Sequence, residues 1–281
     1  MSHLLLKDEV AARLRQLPSL PNVVADLLSS FSTEDVDVDS IAQQIVRDQA
    51  LTARVLRVAN SSFYGLQNRV GTIQEAVTIL GFRAVRSMVV AVGMSGAFRH
   101  DLCPEFDPQA YLRHGVGTAL AARTLAPLAG VNPDLAFTAG LLHDIGQLVL
   151  VGNFPTQYAA ALAYRRHHDC FLVQAERDVL GLDHAEVGGM LAASWHFPTS
   201  LCEAVSEHHA PASAPGSSLA NLIHVADITS HALGLGKNNE EQVMPLDKTA
   251  WERMGGDWLA YEKALAAIEQ GFEEACQVIT L

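Results

Sequence analysis

The sequence predicts an all-α fold, an N-terminal helical bundle packed on a second helical core. Three observations predict it. Apolar residues recur at helical period in nearly every segment, as Leu51, Val55, Val58 and Ala59 do at i, i+4, i+7 and i+8. No run of period-2 alternation is paired with a tight-turn signal, so little or no sheet is expected. Helix starts are marked by capping residues along the whole chain.

Taken in order, Asp37-Val-Asp-Ser precedes a helix beginning near Ile41, with Asp39 or Ser40 as its N-cap. Thr72 with Glu75 three residues on reads as a capping box before Ile73. Asn60, Ser61 and Ser62 read as a helix end and turn, and Gly65 and Gly81 as C-caps. Arg99 to Pro108, RHDLCPEFDP, is polar and proline-bearing and marks the expected junction between a first unit, 1–100, and a second, 101–281. In the second unit Pro133-Asp134 opens the helix that runs into His143, Asp183 caps the next, Pro198 opens a third, and Ser217 or Ser218 a fourth. Gly234 to Trp251 is polar enough for an exposed loop, and a last helix, Trp258 to Val278, is expected to dock back on the body.

Composition narrows the function classes. The chain has 281 residues, 49% hydrophobic and 18% charged, enough to bury a large core and too apolar for disorder. No apolar run reads as a bilayer span and no signal peptide is legible, so a cytoplasmic protein is expected. Cys103, Cys170, Cys202 and Cys276 have no C-x-x-C spacing and read as reduced thiols. A net charge of −12 argues against nucleic acid as a partner, because phosphate neutralisation supplies most of that affinity. One stretch departs from the balance. Val46 to Arg99 holds seven arginines against Asp48 and Glu75, with Arg54 and Arg57 on one helix face and Arg83 and Arg86 on another. It reads either as a solvated face or as a place for an anionic nucleotide or similar ligand.

The chemistry-bearing residues cluster in the second unit. The run AFTAGLLHDIGQLVL, 136–150, sets His143 and Asp144 inside apolar, helix-forming sequence. Burying that pair costs several kcal/mol unless the two groups find partners or an ion. His114, His184, His208, His209 and Asp227 lie on other segments and are candidates to meet it. Imidazole and carboxylate together suit one or two divalent transition metal ions, iron, manganese, zinc, cobalt or nickel. A carboxylate that bridges two ions serves phosphoester hydrolysis, the ions acting as Lewis acids and water activators. Spacing alone is weak evidence, since neither H-x-x-x-H nor a zinc-finger pattern occurs. His167, His168, His196, His224 and His231 read as ordinary core, cap or surface residues.

The segments GLLHDIGQLVL, HAEVGGMLAASWHFP and EHHAP resemble the HD superfamily of metal-dependent phosphohydrolases. More narrowly, LPSLPNVVADLL, IVRDQALTARVLRVANSSFYG and IQEAVTILGFRAVRSMVV are similar to the opening signature of the HDOD family, the HD-related output domain of bacterial signalling proteins. The resemblance spans about Leu17 to His231. It implies an all-helical fold with an HD-like core, and a role as regulator or scaffold with protein partners in a bacterial signalling pathway. It also implies metal positions: the HD enzyme set matches His114, His143, Asp144 and Asp227, and the HD-GYP branch adds His184, His208 and His209. The chain departs from HD-GYP enzymes in two places. Gln147 stands where they carry a lysine, and APASAPGSS follows His209 in place of the GYP loop. Glutamine cannot supply charge to a phosphate.

Three functions follow. The first is a signalling or scaffold module without turnover, metal-binding or not. The second is a metal-dependent phosphohydrolase acting on a cyclic dinucleotide or nucleotide through a dinuclear site. The third is an anion sensor working through the arginine-rich face. No receiver, kinase or cyclase segment is legible, so its input is expected in trans or from a small ligand.

Overall fold

The computed structural model describes residues 4–17, 22–30, 37–60, 69–95, 102–213, 216–236 and 242–279, with backbone alone for 29, 83, 91–95 and 277–279. Among the described residues the regular elements are all helices. Ser61, Ser62 and Gly65, and the Arg83 side chain, lie outside what is described.

The first half is built from α1 (Lys7–Leu14), α2 (Asn22–Ser29), α3 (Val38–Arg47), α4 (Gln49–Ala59), α5 (Ile73–Leu80) and α6 (Phe82–Ser95). The N-cap of α3 is Asp37, whose carboxylate accepts the Ser40 N–H, so the helix starts earlier than the expected cap at Asp39 or Ser40. Thr72 caps α5 by accepting the Glu75 N–H, but Glu75 reaches back to the Gly71 N–H and not to that of Thr72. Gly81 ends α5 at φ +86°, a backbone that favours glycine. Val24, Leu27, Val55, Ile73 and Val85 fill the bundle interior. The arginine pairs part company here. Arg54 and Arg57 are exposed on α4, whereas Arg86 is buried and donates to the Ser30 carbonyl and hydroxyl at 3.0 and 3.2 Å. Arg86 belongs to the core rather than to a solvated face.

The second half contains α7 (Pro108–Leu125), α8 (Pro133–Leu142), α9 (Ile145–Asn153), α10 (Pro155–His168), α11 (Leu172–Leu180), α12 (His184–Ser194), α13 (Thr199–Glu207), a 3-10 turn (Pro211–Ser213), α14 (Ser218–Ala232), α15 (Lys248–Arg253) and α16 (Trp258–Ile279). Asp107, Asn132, Asp183 and Ser217 cap α7, α8, α12 and α14 through their side chains. α14 is buried along all but its ends, from Leu219 to Ser230, which makes it the axis of this half. α7, α8, α13 and α15 pack around it. α16 docks on α7 as expected, with Arg113 paired to Glu273 at 2.9 Å and set over the Phe272 ring. The stretch read as a loop from Gly234 to Trp251 contains the start of α15, capped by Asp247; 237–241 lie outside the described residues.

The halves meet through α6 and α8, where Ser87 donates to the Asp134 carbonyl and Thr138 to Ser87. The start of the chain also reaches the second half, since the Leu5 N–H donates to the Leu180 carbonyl. By length and composition Pro133–Asn153 could cross a membrane, contrary to the sequence expectation, but 78% of its apolar window is buried inside the protein. It is also two helices, because the chain turns at His143 and Asp144. The pair therefore sits at a junction and not within one helix: His143 is the C-cap of α8 and Asp144 the N-cap residue of α9. All four cysteines are free thiols, with Cys103 and Cys276 buried.

Candidate metal centre

Two close helix crossings bring the site together. α9 lies against α12 at Gly146 and Gly188, and a β-carbon at Gly146 would fall on the His184 carbonyl oxygen. α7 lies against α8 at Gly140, where a β-carbon would stand 2.7 Å from Ala119 Cα. The first contact presses His184, the opening residue of α12, toward Asp144. The second holds His114 of α7 near the end of α8.

The structure brings together all seven candidates from the sequence. Asp144 Oδ1 lies 3.1 Å from His184 Nε2, 3.5 Å from His143 Nε2 and 3.5 Å from His208 Nε2. His209 Nε2 is 2.9 Å from His184 Nε2. On the other side, Asp227 Oδ1 lies 3.0 Å from His114 Nε2 and 3.6 Å from His143 Nε2. His114 and His143 face each other Nε2 to Nε2 at 3.2 Å. Three overlapping groups can each hold an ion: Asp144 with His184, His208 and His209; His114 with His143 and Asp144; and His114 with Asp227 and His231. Apart from His209, the seven are buried.

His231 is a correction. It read as an ordinary histidine, yet it stacks on His114 with ring centroids 4.3 Å apart and places Nε2 3.3 Å from Asp227 Oδ1. The missed signal is D-x-x-x-H: Asp227 and His231 are four apart, on one face of α14. The other four keep their ordinary roles. His224 ties the His208 carbonyl to the Asp247 N–H. His167 and His168 are exposed at the end of α10, and His196 is exposed in the turn after α12 at φ +58°.

Supporting bonds decide which ring nitrogens face inward. A carbonyl can only accept, so His143 Nδ1, 2.7 Å from the Gly140 oxygen, and His208 Nδ1, 2.8 Å from the Val205 oxygen, carry hydrogens. In the neutral rings Nε2 is then a lone pair aimed at the centre. Glu176, fully buried on α11, accepts both the His184 N–H at 2.9 Å and His184 Nδ1–H at 2.6 Å. Glu176 escaped the sequence reading because it stands eight residues before His184 with no spacing that marks it.

Imidazole nitrogens and carboxylate oxygens therefore crowd one another at the centre, and either protons on the rings or a shared ion relieves the crowding. Burial works to raise the Asp144 carboxyl, but the charges of His143 and His184 and the nearness of the His184 and His208 rings outweigh it and hold the group well below its ordinary value. Asp227 is held down likewise against burial, by His231, His114 and His143. Burial drives His209 well down, with His208 and His184 adding to it. Burial lowers His184 as well, but Glu176 and Asp144 overcome it and raise the group well above its usual value. His208 Nε2 and Asp227 Oδ1 are buried without a hydrogen bond of good geometry. Imidazole and carboxylate donors 3.0 to 3.7 Å apart suit a shared ion about 2.0–2.2 Å from each. The residues fit one or two transition metal ions, with Asp144 common to two groups.

Gln147 is engaged. Its amide nitrogen donates to Asp144 Oδ2 at 2.6 Å, and its oxygen accepts from the fully buried Tyr158 hydroxyl at 3.1 Å. A cavity of about 270 Å³ opens over the centre, with Tyr111, Tyr158, Phe171, Arg165 and Arg166 among its walls.

Comparison with known proteins agrees with this architecture. Residues 17–211 match the model of the HDOD domain. A candidate phosphohydrolase from Shewanella amazonensis SB2B is 30% identical with a TM-score of 0.76, over 96% of this chain and 97% of that one. An HDOD domain protein of unknown function from Geobacter sulfurreducens superposes with a TM-score of 0.81 at 22% identity, over 97% of each chain. A Treponema pallidum protein is 26% identical over 217 residues, 73% of this chain but only 40% of that protein's own length.

Proposed function

The chain belongs to the HDOD family, and from that premise we propose that it is a regulatory module of bacterial signalling whose buried centre holds one or two divalent transition metal ions and turns over no substrate. It works in the cytoplasm by engaging protein partners. The observation that carries this reading is the Tyr158–Gln147–Asp144 chain of hydrogen bonds. Where the HD-GYP enzymes carry a lysine for phosphate, this chain spends the side chain on fixing Asp144 and supplies no charge. His114, His143, Asp144, His184, His208, His209 and Asp227 hold the ions, and His231 joins them beside Asp227. When bound, the ions would bring Lewis acidity; the residues around them orient the ligands.

A second reading, a metal-dependent phosphohydrolase acting on a nucleotide or cyclic dinucleotide, is favoured by the convergence of all seven ligand candidates under an open cavity. Metal analysis of the purified chain tests both. One or two equivalents of iron, manganese or a related ion are expected in the native protein, lost in His143→Ala and Asp144→Ala. Folded protein that takes up no such ion would overturn both readings. If metal is present, release of linear product or phosphate from a panel of nucleotides and cyclic dinucleotides decides for the enzyme, and its absence for the regulator.

A further inference from the structure

One wall of the cavity over the centre is not a helix. Most of the lining side chains come from α7, α9, α10, α11, α12 and α14, which also build the core of this half. Gln242 and Met244 belong instead to 242–247, a stretch without regular structure that leads into α15. Among the described residues, 243–246 take part in no hydrogen bond. Val243 and Leu246 are exposed, and Met244 is only partly buried. Segments with few buried contacts and few protected backbone bonds open locally while the core stays folded.

The two ends of this stretch are held unequally. At one end the Asp247 N–H donates to Nε2 of the buried His224 at 3.0 Å, and the Asp247 carboxylate accepts the Ala250 N–H at 2.8 Å. His224 donates in turn from Nδ1 to the His208 carbonyl at 2.7 Å. This end is therefore tied to α15 and, through a buried ring, to the segment that carries two ligand candidates. At the other end the Gln242 amide nitrogen donates to the Asp169 carbonyl at 3.1 Å and to its carboxylate at 2.7 Å, both in exposed positions. Both bonds leave one amide group, so one side-chain rotation breaks both.

We infer that 242–247 is a strap over the cavity, which unlatches at Gln242, swings on its Asp247 end, and sets how fast the centre exchanges with solvent. Widening the cavity at this wall leaves the helices in place, whereas widening it elsewhere disturbs the core. The strap keeps its register with the centre while it opens, because the fixed end leads through His224 to His208. This rests on the metal-holding reading only for what is exchanged, and the two can fail separately.

Two rates measured on the full chain test it. The first is transfer of zinc from the zinc-loaded protein to excess chelator. The second is labelling of His209, which lines the cavity, by diethyl pyrocarbonate in the metal-free protein, with the exposed His196 as internal control. Gln242→Ala should raise both rates about fivefold or more, as loss of two hydrogen bonds allows. Metal content, melting temperature and His196 labelling should not change. Asp169→Asn should keep the native rates, because asparagine retains an oxygen for Gln242 and tolerates the left-handed backbone there, φ +48°. Rates unchanged in Gln242→Ala would overturn the strap. So would a rise in His196 labelling equal to that of His209, which would mean general loosening, or faster zinc loss with His209 labelling unchanged, which would mean weaker ligation alone. Faster His209 labelling in a protein that takes up no metal would keep the strap and sink the metal reading.

Discussion

The two ends of the centre are built to different standards. At the Asp144 end three ring nitrogens turned away from the centre are anchored: His184 to the buried Glu176 carboxylate, His208 and His143 to helix carbonyls, all at 2.6 to 2.8 Å. At the Asp227 end, among the described residues, His114 Nδ1 meets the Ser230 hydroxyl at 3.5 Å, beyond good hydrogen-bond geometry, and the His231 side chain is 23% exposed. Outer partners fix ring orientation and raise ligand basicity. The difference teaches that ligand count is not site quality. The first end is pre-organised for an ion, whereas the second must be ordered by one. A metal titration should therefore resolve a tight and a weaker class of ion.

The largest effect should break the comparison outright. Asp144 is common to two of the ligand groups, so Asp144→Ala should abolish tight binding and weaken the remainder, measured by metal content after dialysis. If one full equivalent survives, the two ends do not share that carboxylate. Gly146→Ala comes next. Its β-carbon cannot fit against the His184 carbonyl, so α12 must retreat from α9. Overpacking of this kind costs about 1–3 kcal/mol. A lower melting temperature together with loss of the tight ion is expected. Loss of stability with metal affinity intact would show that the crossing does not position His184.

Two substitutions then sharpen the contrast. Glu176→Gln should weaken the tight ion by about 10–100-fold and leave the other alone, the usual range for outer-shell loss. His231→Ala should do the reverse by a smaller factor, weakening the second ion alone. Equal effects of either variant on both ions would mean one cooperative centre and not two unequal ends.

What could be read from the sequence follows the same line. Helices were legible because caps and apolar periods are local: Asp183 and Ser217 sit where their motifs put them. The ligands were legible through their segments, GLLHDIGQ above all. What held them was not. Glu176 and His184 meet because α11 folds back toward α12, a tertiary fact with no local pattern. His231 had a local mark, four residues after Asp227, but a single histidine late in an apolar helix reads the same whether it faces core or centre. The α8–α9 break at His143 carries no proline and no helix-ending glycine, so an unbroken apolar run was the natural reading. Gly146 and Gly188 looked like ordinary glycines because the need for them comes from the other helix.

The smallest expected effect concerns what holds the better-built end in place. Asp183 caps α12 one residue before His184: its carboxylate accepts the Glu186 N–H at 2.9 Å, and Arg177 donates to it from Nε at 2.6 Å. Asp183→Ala should cost about 1–2 kcal/mol, the usual worth of an N-cap, and lower the melting temperature by a few degrees. The Arg177 pair adds little, because the arginine is half exposed. Burial raises this carboxyl, but the Glu186 N–H and the charges of His184 and Arg177 win and hold it below its ordinary value. A carboxyl depressed by folding contributes stability above its unfolded value of about 3.9 and loses it as pH falls through the lower folded value. The gap in melting temperature between native protein and Asp183→Ala should thus be full at pH 7 and shrink toward pH 3, and a gap that widens in acid would refute the assignment. Metal affinity at pH 7 completes the test. If Asp183→Ala lowers stability yet leaves the tight ion alone, Glu176 by itself orients His184; if both fall, the cap of α12 is part of the same support.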